Sequence, residues 1–276
     1  MTSLTTIASR TRSRALRLRI YMADLWYRRE FAWFLAMGNL KAKNASTVLG
    51  LFWWVLNPLL LGMVYYIVFS FIFSSGRDIA YLLSGMFVFH FTAQSMTGGA
   101  NSILQNSKLL SNLSFPRLVL PIANLIESTV GFLASLIVLY AVAVPTGSVH
   151  SLRYLPWFLV ILPIHVLFNL GLSSFTARLS VPFRDINNIT PYVTRLWLYL
   201  SPVIWPLSFV EGLSATGQTL FQLNPLYWMI AAYRSAFFGV DFLIESIGWS
   251  LLNAVVIGTL GIGLFIKYEN TIVRHL

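Results

Sequence analysis

STVLGLFWWVLNPLLLGMVYYIVFSFIFSS, residues 46–75, decides how the chain is read. No charged side chain lies between Lys43 and Arg77. A helix rises about 1.5 Å per residue, so about 20 apolar residues cross a hydrocarbon core about 30 Å thick. The run is long enough to cross with tilt. Only a helix or a closed barrel satisfies its own backbone in lipid, and the alternation of a barrel strand is absent. Ahead of the run stand Arg10, Arg12, Arg14, Arg17, Arg19, Arg28, Arg29, Lys41 and Lys43. That bias predicts an N-terminus on the cytoplasmic side.

Working outward, the 276 residues are 57% hydrophobic and 10% charged, with a mean hydropathy of +0.72. Such a chain reads as an all-α polytopic membrane protein, with room for about six crossings. The net charge of +10 raises nucleic acid as a partner and the arginine-rich start raises a transit peptide. Both readings fail on distribution, because the basic residues follow the membrane loops. No removable signal peptide is expected. With no cysteine, disulfides, thiolate zinc sites and thiol catalysis are excluded. The histidines, at 90, 150, 165 and 275, lack metal spacing, so no metal is expected. There is no GxxxxGK[ST] phosphate loop, and no acidic pair or nucleophile motif, so no catalytic residue is expected.

Taken in order, the sequence predicts one domain over 1–276. Residues 1–45 form a cytoplasmic segment containing an interfacial helix, Ala15–Ala36. Leu18, Met22, Leu25, Trp26 and Trp33 make its apolar arc, interrupted by Arg29. Crossings one to five occupy 48–209. The first runs Val48–Phe73 with a bend at Asn57-Pro58, and the second Tyr81–Gly99. On the second, Ser84, Phe87, Phe91, Gln94, Gly98 and Asn101 recur at helical steps. Ser102–Arg117 is too polar to cross and fits a short helix before Phe115-Pro116. Crossing three, Leu118–Val144, carries Asn124, Glu127, Ser128, Gly131 and Ser135 on one face. Crossing four, Tyr154–Val181, carries His165, Asn169, Ser173 and Thr176 on one face. Crossing five, Tyr192–Phe209, is bent or broken by Ser201-Pro202 and Trp205-Pro206. Residues 220–238 are cut at Asn224-Pro225 into pieces too short to span, which predicts a re-entrant helix pair. Crossing six is 247–266. Six crossings put both termini inside, with 16 Lys and Arg on inner segments against Arg77, Arg153 and Arg234 outside.

Few side chains offer chemistry inside the membrane. Glu127 and His165 are the intramembrane polar candidates. The plain reading makes both satisfied bundle residues; the sharper one gives Glu127 a relay or substrate role. Aromatics are 15% of the chain. Phe52, Trp53, Trp54, Trp197, Tyr199 and Trp205 are candidates for a channel whose rings stack on sugar faces. Interfacial belts and lipid packing are the plainer account of most aromatics.

Four stretches carry a resemblance. LKAKNASTVLGLFWWVLNPLL (40–60), SFPRLVLPIANLI (114–126), FRDINNITPYVTRLWLYLSPVIWP (183–206) and NPLYWMIAAYRSAFFG (224–239) resemble the permease subunits of ABC-2-type polysaccharide exporters. That family handles O-antigen, capsule, teichoic acid and mycobacterial galactan. Asn44 stands where the family usually has tyrosine, and Gly38-Asn39 where Arg-Asp is frequent.

The resemblance implies a homodimer in the cytoplasmic (inner) membrane with two copies of a separate ABC ATPase. ATP and Mg would bind that partner, leaving no cofactor on this chain. The substrate would be a lipid-linked glycan on polyprenyl diphosphate, and 220–238 would form the outer gate. Lys108 and Arg117 become candidate ATPase-docking residues. Arg178, Arg184 and Arg195, at the inner mouth between crossings four and five, become candidates for the diphosphate, since arginine's fork suits phosphate oxygens. An ABC-2 exporter of a drug or small lipid is the alternative. A secondary transporter lacks its ion site and repeat, and a glycosyltransferase its donor site.

The topology has a direct test in a chain that carries no native cysteine. Cysteines at Ser3, Asn112 and Asn188 should resist an impermeant thiol reagent in intact cells, while one at Thr216 should react. Labelling at Asn112 or Asn188 from outside would remove the six-crossing arrangement.

Overall fold

A computed structural model describes residues 16, 18–44, 47, 49–72, 79–145, 156–239 and 243–272. Among the described residues the secondary structure is helical and there is no strand. Arg10, Arg12, Arg14, Arg17, Arg77, Arg153, Arg274, His150 and His275, which entered the sequence reading, lie outside the described residues. So do the outer segments 74–78 and 146–153.

The chain is helical over 18–27, turns at Arg28, and continues as α1, Arg29–Asn44. The expected end at Ala36 is passed by two turns. Ala32, Ala36 and Leu40, spaced by four, are buried, and the helix packs on α5. Leu18, Met22, Trp26 and Trp33 of the predicted arc are exposed, as a face meeting a membrane interface would be. A 3-10 turn, Gly50–Phe52, leads into α2, Trp53–Ile72. The helix is continuous through Asn57-Pro58.

α3, Ile79–Gln105, is six residues longer at its C-terminal end than the sequence suggested. It is followed by the short α4, Ser107–Asn112, and by α5, Val119–Ala143. α6 is Phe158–Ser180 and α7 is Ile186–Leu200. α7 starts six residues earlier than expected and runs through Pro191, which lies inside the helix. Two short helices follow, α8 (Ser208–Glu211) and α9 (Ala215–Gln222). α10 is Pro225–Phe238, capped by the Asn224 side chain on Leu226 N–H, with Pro225 in its first turn. It ends at Gly239, whose φ of 66° suits glycine. α11 is Leu243–Ile272.

Val119–Ala143, Phe158–Ser180 and Leu243–Glu269 are long and apolar enough to cross a membrane. α2 has 20 residues and no charge, a length of about 30 Å. α7, with 15 residues, is about 22 Å long and falls short of a span.

The core lies where α3, α5, α6, α10 and α11 meet. It is built from Phe87, Phe91, Phe132, Phe168, Tyr233 and Phe237, with Phe91 stacked on Phe132 at 4.7 Å. In lipid, apolar burial gives helices little reason to associate, so close approach and hydrogen bonds decide the pairs. The polar faces read in the sequence are those buried faces. Asn124, Glu127, Ser128 and Ser135 on α5 and His165, Asn169, Ser173 and Thr176 on α6 are all inside. α6 and α11 touch through Gly171 and Gly261, and a Cβ on Gly261 would run into the Gly171 backbone. Gly261→Val should therefore lower stability by about 1–3 kcal/mol. Gly263→Val, which meets nothing within 4 Å, should not. Thermal unfolding in detergent decides; equal melting temperatures would refute the glycine contact.

Candidate functional site

α7 ends at Leu200, and the chain turns sharply over 201–205. A helix that stops leaves its last four carbonyls without helical partners. Here every carbonyl from Trp197 to Val203 has a donor. Ser201 Oγ donates to Trp197 O at 2.8 Å and Ser201 N to Leu198 O at 3.3 Å. Trp205 Nε1 donates to Tyr199 O at 3.0 Å, and Asn224 Nδ2 to Leu200 O at 2.9 Å. Val203 N donates to Ser201 O at 2.7 Å. The Arg234 guanidinium takes the last two, Pro202 O and Val203 O.

Arg234 was counted with the outer charges in the sequence; the structure buries it, 1% exposed, in the middle of α10. Besides those two carbonyls it donates to the Tyr81 hydroxyl at 2.9 Å and the Tyr81 carbonyl at 3.2 Å. The Tyr81 ring lies 3.6 Å from its central carbon. A planar fork with five N–H groups serves more acceptors at once than an ammonium, which has three. Asn224 does the same on a smaller scale, accepting from Trp197 Nε1 at 2.8 Å while donating to Leu200 O. The broken helix, the α9–α10 pair and the start of α3 thus form one knot. The Asn-Pro break and a lone arginine in an apolar run were its sequence signals.

The candidate channel aromatics divide. Trp197 is half-buried, edge-on to Phe89 at 6.5 Å, and its indole N–H is held by Asn224. Trp205 packs on Phe209 and Phe221. Tyr199 and Phe52 are exposed, and Trp53 is half-buried. The Trp54 side chain lies outside the described residues.

The three candidate arginines have different surroundings. Arg178, half-buried in the last turn of α6, faces the Tyr268 ring of α11 at 5.3 Å. Arg184 is exposed in the turn before α7. Arg195 is exposed nine residues into α7, about 13 Å further along. Glu127, 2% exposed, accepts from Asn39 Nδ2 at 2.7 Å, joining α5 to α1. His165 is buried between Thr92, 2.8 Å away, and Tyr233, 3.4 Å away, with Phe91 and Phe132 around it.

At the other end, Lys108 is exposed on α4. Arg117 is tied to α11: its backbone N–H donates to the Glu269 carboxylate and its guanidinium to the Glu269 carbonyl, both at 2.7 Å. Burial, reinforced by Glu269, pushes the Tyr21 phenol up, against a smaller pull from Arg117. Tyr21, Asp24, Leu110, Phe115, Arg117 and Glu269 border a groove of about 680 Å³.

Comparison with known proteins matches the family described as ABC-2 type transporter over residues 31–238. The chain is 29% identical over 210 residues to the O-antigen export system permease protein RfbA of Myxococcus xanthus, covering 74% of this chain and 78% of that one. It is 26% identical over 234 residues to the protein of the same name from Klebsiella pneumoniae, covering 84% and 89%.

The knot carries its own test. Arg234→Lys keeps the charge but cannot serve every acceptor. One or more buried carbonyls then lose a donor, and membrane hydrogen bonds contribute about 0.6–1.7 kcal/mol each. The melting temperature in detergent should fall by several degrees, at about 2–4 °C per kcal/mol. Arg184→Lys, at an exposed turn, should leave it unchanged. An Arg234→Lys chain as stable as the parent would show that the guanidinium is not the anchor.

Proposed function

The chain belongs to the ABC-2 type transporter family, and from that premise we propose that it is the transmembrane subunit of a polysaccharide exporter. It is a multi-pass membrane protein. The single observation that carries the reading is likeness, over most of both chains, to permeases named for O-antigen export. The substrate is a glycan of O-antigen or galactan type on polyprenyl diphosphate. It moves from the cytoplasm to the outer face of the cytoplasmic membrane.

The proposed arrangement is a homodimer of six-crossing subunits, both termini inside, with two ATPase subunits supplying ATP and Mg. α9 and α10 are the outer helix pair, entering and leaving from the same side. A break in crossing five is tolerated at membrane depth only if its backbone is satisfied. The completed carbonyl run from Trp197 to Val203 supports that placement. The groove beside α4, with Lys108 near it, is the ATPase surface. Arg117 acts there by holding α4's connection to α11, since it is engaged by Glu269. Arg184, exposed at the inner turn, is the arginine best placed to meet an arriving diphosphate.

Deleting the gene in its native host should abolish the surface glycan and leave lipid-linked glycan inside. A normal surface glycan with altered sensitivity to a drug would favour the small-molecule alternative. The aromatics separate by role. Tyr199→Leu should slow export several-fold at unchanged protein level, because one stacking ring contributes on the order of 1 kcal/mol. Trp197→Leu should reduce stability and export together, because it also removes the bond to Asn224. Export assays at matched protein levels check both. Unchanged export by Tyr199→Leu would make that ring a lipid anchor.

A further inference from the structure

α3, α5 and α1 enclose a polar cavity of about 430 Å³ at the end of the fold nearest α4. Its size lies within the range of small-molecule sites. α3 contributes Gln94, Gly98, Asn101 and Gln105, at steps of four, three and four, so one helical face is aimed inward. α5 adds Asn124 and Glu127, and α1 adds Asn39. Among the described residues no lysine, arginine or histidine borders it.

The polar groups are held in place. Asn101 Nδ2 donates to Thr97 O at 2.9 Å, Asn106 Nδ2 to Ser102 O at 2.8 Å, and Asn124 Nδ2 to Ser95 O at 3.1 Å. In Asn101 and Asn106 the bond uses one N–H, while Asn124 Nδ2 also donates to Ser173 Oγ at 3.4 Å; in each the carbonyl oxygen is a further acceptor. Asn39 fixes one oxygen of the Glu127 carboxylate at 2.7 Å. Carboxamides gathered on one cavity wall offer donors and acceptors together, as a hydrophilic ligand requires.

The chemistry selects its occupant. A diphosphate asks for cationic donors, and the described lining is instead carboxamides and one carboxylate. A polyprenyl tail asks for an apolar wall, which this lining is not. A sugar ring presents hydroxyls that both donate and accept, and carboxamides do both, while one carboxylate accepts from a hydroxyl pair. We infer that this cavity binds one neutral, polyhydroxylated ring of the glycan through Asn101, Gln105, Asn124 and Glu127. The inference rests on the export reading and deepens it.

The test uses the assembled transporter in inside-out membrane vesicles from cells that make no glycan. Asn101→Cys and Thr97→Cys, in the otherwise cysteine-free chain, are labelled with a small hydrophilic maleimide; Asn188→Cys is the exposed control. Lipid-linked glycan, extracted from glycan-making cells, is added at about ten times its half-protecting concentration. It should slow labelling at either cavity position about tenfold, and at Asn188 not at all. Polyprenyl diphosphate alone should protect neither. Protection by polyprenyl diphosphate would make the cavity a headgroup site and overturn the inference. So would absence of protection, or a cavity cysteine that does not react in empty vesicles because a second copy covers it. Each of those results leaves the export reading standing, since that falls only if the deletion strain keeps its surface glycan.

Discussion

A helix that stops inside a membrane must find partners for its last carbonyls, because no water is there to take them. α7 meets that requirement completely. Its last four carbonyls are taken by Ser201, Trp205 and Asn224, and the turn carbonyls of Pro202 and Val203 by Arg234 from the middle of α10. The break in α7 and the helix pair are therefore not separate features. Without α10 the break would leave Pro202 and Val203 unsatisfied, and without the break Arg234 would be a buried charge lacking two acceptors. Tyr81 and Ser84 at the start of α3 complete the arginine's shell and attach the assembly to the core.

The periodic part of this design is legible in the sequence. Polar residues at helical steps on crossings three and four turned out to be the buried faces, and Asn224-Pro225 and Ser201-Pro202 divide helices where the prolines say they must. The long-range part is not legible. Arg234 reads as one more charge near an outer loop until its five N–H groups are seen on Tyr81, Ser84, Pro202 and Val203. Asn224 reads as a helix cap, which it is, but nothing local says that its amide also holds Leu200 and Trp197. Helix ends misjudged by six residues, at Gln105 and Ile186, have a related cause. Polar residues in α3 and Pro191 in α7 are locally unfavourable to a helix, and tertiary contacts override them.

The candidate cavity shows the same limit. Gln94, Gly98 and Asn101 were visible as a stripe on one helix, and Glu127 on another. What joins them is Asn39, from a helix read as a surface element only. Its bond to Glu127 spans 88 positions in the chain. Trp26 and Trp33 form an exposed arc on one side of that segment, and Ala32, Ala36 and Leu40 show that its other side packs on α5.

The two ends of the fold are consequently held by different chemistry. Around Arg234, the described acceptors lie in fixed directions, so any large movement of α10 past α7 or α3 strands several carbonyls at once. That favours motion of the knot as a unit. At the α4 end, Arg117, Glu269 and the Tyr21 phenol meet in a half-open groove where water can replace a broken bond. Rearrangement there costs less. α3 touches both regions, its Tyr81 in the knot and its Asn101 and Gln105 at the cavity. A force applied to α4, which is joined to α3 through Asn106 alone, reaches a rigid helix before it reaches anything soft. The adaptable contacts sit where a partner can act on them, and the unadaptable ones sit where the backbone has no alternative to its own side chains.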